Sequence, residues 1–103
     1  MTAIKVYDKV TWHFPEGNKC PSAESAKRQF NAVMRWLSKE NLLTDEGKES
    51  WSAGVDMDFS ITSAMLTDRG NQLFRSRYSQ WLNQLDYDKE STMEELDAAF
   101  YGQ

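Results

Sequence analysis

The chain has 103 residues, of which 40% are hydrophobic, 27% charged and 13% aromatic. A domain of that size buries roughly two-thirds of the surface its unfolded chain exposes, so it folds without disulfide or metal staples. One cysteine excludes an internal disulfide, no apolar run reaches the roughly 18 residues of a membrane helix, and the N-terminus lacks a signal peptide's apolar stretch. Twelve basic against sixteen acidic residues leave a formal charge of −4, which argues against a general nucleic-acid binder.

The charge is unevenly placed. Residues 1–85 hold 11 Lys or Arg and 10 Asp or Glu, whereas residues 86–103 hold six acids against Lys89. A nearly neutral globular body (1–85) thus carries an acidic C-terminal segment (86–103) that belongs to the same domain.

In chain order, Ile4, Val6, Val10, Trp12 and Phe14 alternate with Lys5, Tyr7, Lys9, Thr11 and His13, a period of two that predicts a half-buried strand. Asp8 interrupts the apolar parity and marks a bulge or bend. Pro15, Gly17 and Asn18 end the strand. Ser22 is the expected N-cap of a helix whose core stripe is Ala26, Phe30, Val33, Met34 and Leu37, with Lys27, Arg28, Arg35 and Lys39 off the stripe and Asn41 as its stop.

Leu43-Thr44-Asp45-Glu46-Gly47 is then followed, after an interval, by Leu66-Thr67-Asp68-Arg69-Gly70. Each copy reads as a helix start: the Thr oxygen accepts an orphan amide, the acid complements the helix dipole, and the Gly permits close approach of a neighbouring backbone. The first helix is short and ends near Gly54. The second is long, with Phe74, Tyr78, Trp81, Leu82 and Leu85 as its stripe. Between them, Val55, Met57, Phe59 and Ile61 alternate with polar residues and predict a second strand. Ser91-Thr92-Met93-Glu94 reads as a capping box opening a short helix that carries Met93, Leu96 and Phe100, too short to stand alone in water. The fold class is α+β: a small sheet of two or three strands, from residues 3–14 and 55–61, covered by helices near 23–40, 68–85 and 92–100 in one domain.

Catalytic and metal-binding patterns are sparse. His13 and Cys20 are each the sole residue of their kind, and they lack the orienting group and oxyanion site that a nucleophilic pair needs. His13 falls on the strand's polar face, where an exposed or hydrogen-bonded histidine is the expectation. Asp56-x-Asp58 and Asp86-x-Asp88 are incomplete ligand sets for a hard cation. No phosphate loop, dinucleotide fingerprint or nucleophile elbow is present. No catalytic residue, metal site or cofactor is therefore assigned, and a non-enzymatic role is expected. Trp12 and Trp81 are expected in the core, and Trp36 at its flank.

Two resemblances bear on function. Leu66 to Gly70, opening a long helix, resembles the segment after the wing in bacterial winged-helix regulators, which would imply a small DNA-binding protein. The segment 44–54 is too short and acidic for a recognition helix. Tyr7 to Gly17, followed by Asn41 to Gly47, resembles small bacterial immunity proteins, the cytoplasmic partners that neutralise polymorphic or contact-dependent toxins. That resemblance implies a non-catalytic protein binding a basic toxin. The expected contact set is Asp86, Asp88, Glu90, Glu94, Glu95 and Asp97 for steering, with Tyr87, Phe100 or Tyr101 as aromatic anchors. A third class, a ligand-binding module, would need a pocket around His13 and Tyr7.

Overall fold

Two helix starts pair back to back at the centre of the fold. The computed structural model describes residues 4–13, 23–56, 58–83 and 91–101. Leu43 and Leu66 form an isolated antiparallel bridge. Thr44 N donates to the Met65 carbonyl at 3.0 Å, and Thr67 N donates to the Leu42 carbonyl at 2.9 Å. Each Thr hydroxyl also accepts the amide three residues on, Gly47 or Gly70, at 3.2 Å. The repeated Leu-Thr-Asp-x-Gly is thus a local two-fold arrangement, in which each copy's glycine lies against the carbonyl preceding the other copy's leucine. It launches α2 (Asp45–Ala53) and α3 (Asp68–Asn83). The first ends at Gly54, whose φ of 95° only glycine adopts readily.

Upstream lies α1 (Ala23–Lys39), matching the predicted span. Its C-terminus is closed by Asn41 in the left-handed region (φ 59°), with Asn41 N donating to the Ser38 carbonyl and Leu42 N to the Leu37 carbonyl. This double closure satisfies two orphan carbonyls and turns the chain toward the paired helix starts. The residues of the predicted N-cap, Cys20 to Ser22, lie outside those described. All five residues of the predicted stripe are buried, and a second buried row, Ser25, Gln29, Ala32 and Trp36, runs beside it. The sequence suggested one buried face; α1 has two.

The sheet is smaller than expected. Strands β1 (Val6–Lys9) and β2 (Ser60–Thr62) pair antiparallel, with a register shift between Val6 and Asp8 where the sequence placed a bulge or bend. The chain then tightens into a 3₁₀ turn over Val10–His13 instead of continuing as strand. The alternation therefore fails as a guide to burial: Val10 and His13, three residues apart, both point inward, while Trp12, expected in the core, is 49% exposed. Ile4, on the same predicted core parity, is 64% exposed, and Phe14 lies outside the described residues. Among the described residues of the second predicted strand, Ser60 and Ile61 at its end are paired as strand. Ahead of it, Asp58 N donates to Asp56 Oδ1 at 2.9 Å and Phe59 N to the Asp56 carbonyl at 3.2 Å, as in a turn. Another 3₁₀ turn, Ser63–Met65, links β2 to the second helix start.

The last helix, α4 (Met93–Tyr101), packs on α3 and α1. Its capping box is one residue later than expected. Thr92 N donates to Glu95 Oε1 and Glu95 N to Thr92 Oγ1, both at 3.1 Å. Leu96 and Phe100 are fully buried. The Phe100 ring stacks on Trp36 at 5.1 Å and on Phe74 at 5.0 Å, and Phe74 stacks on Tyr78 at 4.7 Å. The second buried row of α1 is thus the seat of α4, and Trp36, expected at the core's flank, is wholly enclosed.

The paired helix starts make a direct test. A Cβ on Gly47 would overlap the Met65 carbonyl oxygen, whereas one on Gly70 would sit 3.2 Å from the Leu42 carbonyl oxygen. Gly47→Ala should destabilise the fold by about 2 kcal/mol or more despite alanine's helix propensity, and Gly70→Ala should stay within about 1 kcal/mol of the parent in urea unfolding.

Candidate functional site

Asp8 sits at the bulge of β1, and its carboxylate is turned into the protein rather than out to solvent. The residue is 3% exposed and His13 is 5% exposed. His13 Nε2 lies 2.9 Å from Asp8 Oδ2 and 3.1 Å from Oδ1, so a hydrogen on Nε2 facing the carboxylate satisfies both groups. The Tyr78 hydroxyl, brought in by α3, donates to Oδ2 at 2.7 Å, and the Lys9 amide donates to Oδ1 at 2.9 Å. The imidazole also meets the edge of Phe30 at 5.3 Å. Three protein donors thus converge on one buried acceptor. Among the described residues, no buried side-chain nitrogen or oxygen lacks a partner.

This cluster corrects the expectation that His13 lies on the strand's polar face. The 3₁₀ turn rotates the imidazole inward, where Asp8 holds it. The hydrogen-bonded alternative of the sequence reading is realised, but in the core. Cys20 lies outside the described residues. Nearby, the Tyr7 hydroxyl donates to Asn71 Oδ1 at 2.6 Å, which occupies the side chain a ligand pocket would have used. Periodicity alone did not single out Asp8 or Tyr78 as partners; the signal was the one acid breaking an otherwise regular apolar parity.

The predicted contact set divides. Asp86, Tyr87, Asp88 and Glu90 lie outside the described residues, as does the Asp86-x-Asp88 pair. Glu94 and Glu95 are exposed on α4, and Glu95 additionally closes the capping box. Asp97 is turned toward the body, where Oδ1 accepts the Trp36 indole N–H at 2.7 Å. Tyr101 is half-buried and donates its hydroxyl to Glu40 Oε1 at 2.7 Å, with the Arg69 guanidinium 5.6 Å from its ring centre. Phe100 belongs to the core. Asp97, Tyr101 and Phe100 therefore fix the helix to α1 and α3, and Glu94 and Glu95 are the members of the described set presented to solvent.

The Asp56 carboxylate accepts the Asp58 amide, and the Asp58 side chain is exposed. Among the described residues, no group of three or more His, Cys, Asp or Glu side chains gathers as a metal site, and no helix is long and apolar enough to cross a membrane. Comparison with known proteins finds no matching family model, no similar curated protein and no similar solved structure.

The two tyrosine hydroxyls at Asp8 and Glu40 differ in setting, which separates their expected contributions. Tyr78→Phe removes a donor from a buried carboxylate and should cost about 2 kcal/mol, whereas Tyr101→Phe, at the rim, should cost under about 1 kcal/mol in the same denaturation series. Burial, followed by the hydrogen bond and charge of Glu40, raises the Tyr101 phenol above its ordinary value of 10.0, while Arg69 opposes the shift. The native state therefore holds this proton more tightly than the unfolded chain. Its contribution to stability is complete below pH 10 and is lost as pH rises through the raised value. A tyrosinate absorbance titration of the parent minus Tyr101→Phe should show this component ionising late; ionisation at or below the ordinary value would contradict the assignment.

Proposed function

We propose that this protein acts without catalysis, binding a basic protein partner through the exposed side of α4 in the manner of a cytoplasmic immunity protein against a bacterial toxin. One observation carries the reading: α4 is anchored on one side by Leu96, Phe100, Asp97 and Tyr101 while Glu94 and Glu95 remain on its exposed side. The backbone that carries these carboxylates is already ordered before a partner arrives, and they steer a cationic surface from a distance. The enclosed Asp8, His13 and Tyr78 cluster supports the same reading, because its polar groups are spent on one another inside the protein.

The helix is also part of the core, so removing residues 86–103 would take Leu96 and Phe100 with it and is not a test of binding. The informative variant is Glu94→Lys with Glu95→Gln, since glutamine preserves the capping box. The partner to use is a basic toxin encoded beside this chain's own gene. The parent should protect cells expressing that toxin. The double variant should associate about tenfold more slowly at low salt and lose most of its salt dependence, with unchanged thermal unfolding. A folded variant that protects equally well, with unaltered association kinetics, would refute the role of α4.

A further inference from the structure

A second charged surface lies on α1. Arg28, Asn31 and Arg35 follow at intervals of three and four residues, with Lys27 beside them, so all four share one face of the helix. Together with Glu24 and Val55, from the segment after α2, they line an open groove of about 410 Å³. Val55 is its only apolar lining residue among those described, and Glu24 its only carboxylate. Three cationic side chains and one acidic one thus line this groove, in a chain whose formal charge is −4.

The groove's chemistry is selective. A lining this polar offers no apolar bed for a drug-like or lipid ligand. At a rise of 1.5 Å per residue, the backbones of Arg28 and Arg35 stand about 10 Å apart, so an anion with two charged groups meets both guanidinium groups without drawing them together. Guanidinium forks pair bidentately with phosphate oxygens, and Lys27 adds a point charge beside Arg28. The Asn31 amide donates to the Lys27 carbonyl at 3.0 Å, which holds its head group against the helix and leaves a second N–H. Glu24 lies 3.2 Å from Lys27 Nζ, but its side chain is 80% exposed. Lys27 is half-buried, so the exposed Glu24 is the mobile member of the pair, and it gives way to a more highly charged anion.

We propose that the α1 groove binds an oligophosphate, a small anion carrying two or more phosphate groups, with Arg28 and Arg35 gripping separate phosphates. The phosphates come either from a free inorganic chain or from the tail of a nucleotide, and the groove recognises what the two share. Glu24 acts as a built-in competitor that Lys27 releases when the anion enters.

Calorimetry and amide NMR mapping on the full chain at low salt test this, using inorganic tripolyphosphate, adenosine triphosphate and adenosine as probes. The expected result is saturable binding of both phosphates with similar affinity, none for adenosine, and shifts centred on residues 24–35 and Val55. Arg28→Gln with Arg35→Gln should weaken binding by about tenfold, and Glu24→Gln should tighten it by about twofold. If the double variant is unfolded, Arg28→Gln alone, on an exposed side chain, should still weaken tripolyphosphate binding. Tight binding of the triphosphate nucleotide without tripolyphosphate binding would overturn the proposal, since the base would then carry recognition. So would shifts scattered over other cations, or affinity unchanged in a folded Arg28→Gln variant.

Discussion

The buried carboxylate of Asp8 is the constraint on which much of this fold turns. A carboxylate removed from water is costly unless hydrogen bonds replace its hydration, so the chain around Asp8 must deliver donors to it. The Lys9 amide is local and follows from the bulge. His13 reaches back only because β1 gives way to a 3₁₀ turn, which shortens the path from residue 8 to residue 13. Tyr78 arrives from a helix 70 residues away. A single acid thereby ends the strand, orients the histidine and fixes the rotational setting of α3.

That setting propagates. The Tyr78 ring, held at its hydroxyl by Asp8, stacks on Phe74, and Phe74 on Phe100 of α4. Phe100 in turn meets Trp36 of α1, whose indole N–H is capped by Asp97 of the same helix α4. Polar groups thus close both ends of the aromatic column, Asp8 at one and Asp97 at the other. Stacking alone leaves aromatic rings free to slide; a hydrogen bond at each end defines where they stop. The paired Leu-Thr-Asp-x-Gly segments do comparable work for the helix starts, because each supplies the donor and the glycine clearance that the other needs.

What the sequence made legible follows the range of the interactions involved. Caps, turns and helix stripes are local, and Thr44, Thr67, Asn41 and the α1 stripe read correctly because their partners lie within a few residues. The α+β class followed from the same local patterns. The errors cluster where a distant group overrides a local period. Trp12 stands on the apolar parity of β1, yet the turn drawn in by Asp8 swings it outward to solvent. Trp36 falls beside the main stripe of α1, yet it is enclosed because α4 comes from 60 residues downstream to cover it. Ser25 and Gln29 disguised that second row as a wet face, although Ala32 and Trp36 at helical spacing already belonged to it. Asp97 and Tyr101 looked like surface groups by composition, and only their contacts with Trp36 and Glu40 show which way they face.

The seating of α4 gives the charge asymmetry a structural address. An acidic tail loosely attached to a body would act by net charge, and its position in sequence would be its only address. Here the helix that carries Glu94 and Glu95 is seated by an aromatic core, so the backbone positions of those residues are set relative to α1 and α3. Charges so placed do more than attract: they impose an orientation on what approaches, and they penalise a partner whose cations are out of register. On α1, the row of Lys27, Arg28 and Arg35 has the opposite sign. The two charged surfaces are therefore tied to one another through shared helix packing, since α4 rests on the second buried row of the helix whose outer face is basic. A change that loosens Trp36 or Phe100 would blur both at once, which makes the aromatic column the link between how this chain folds and how it recognises anything.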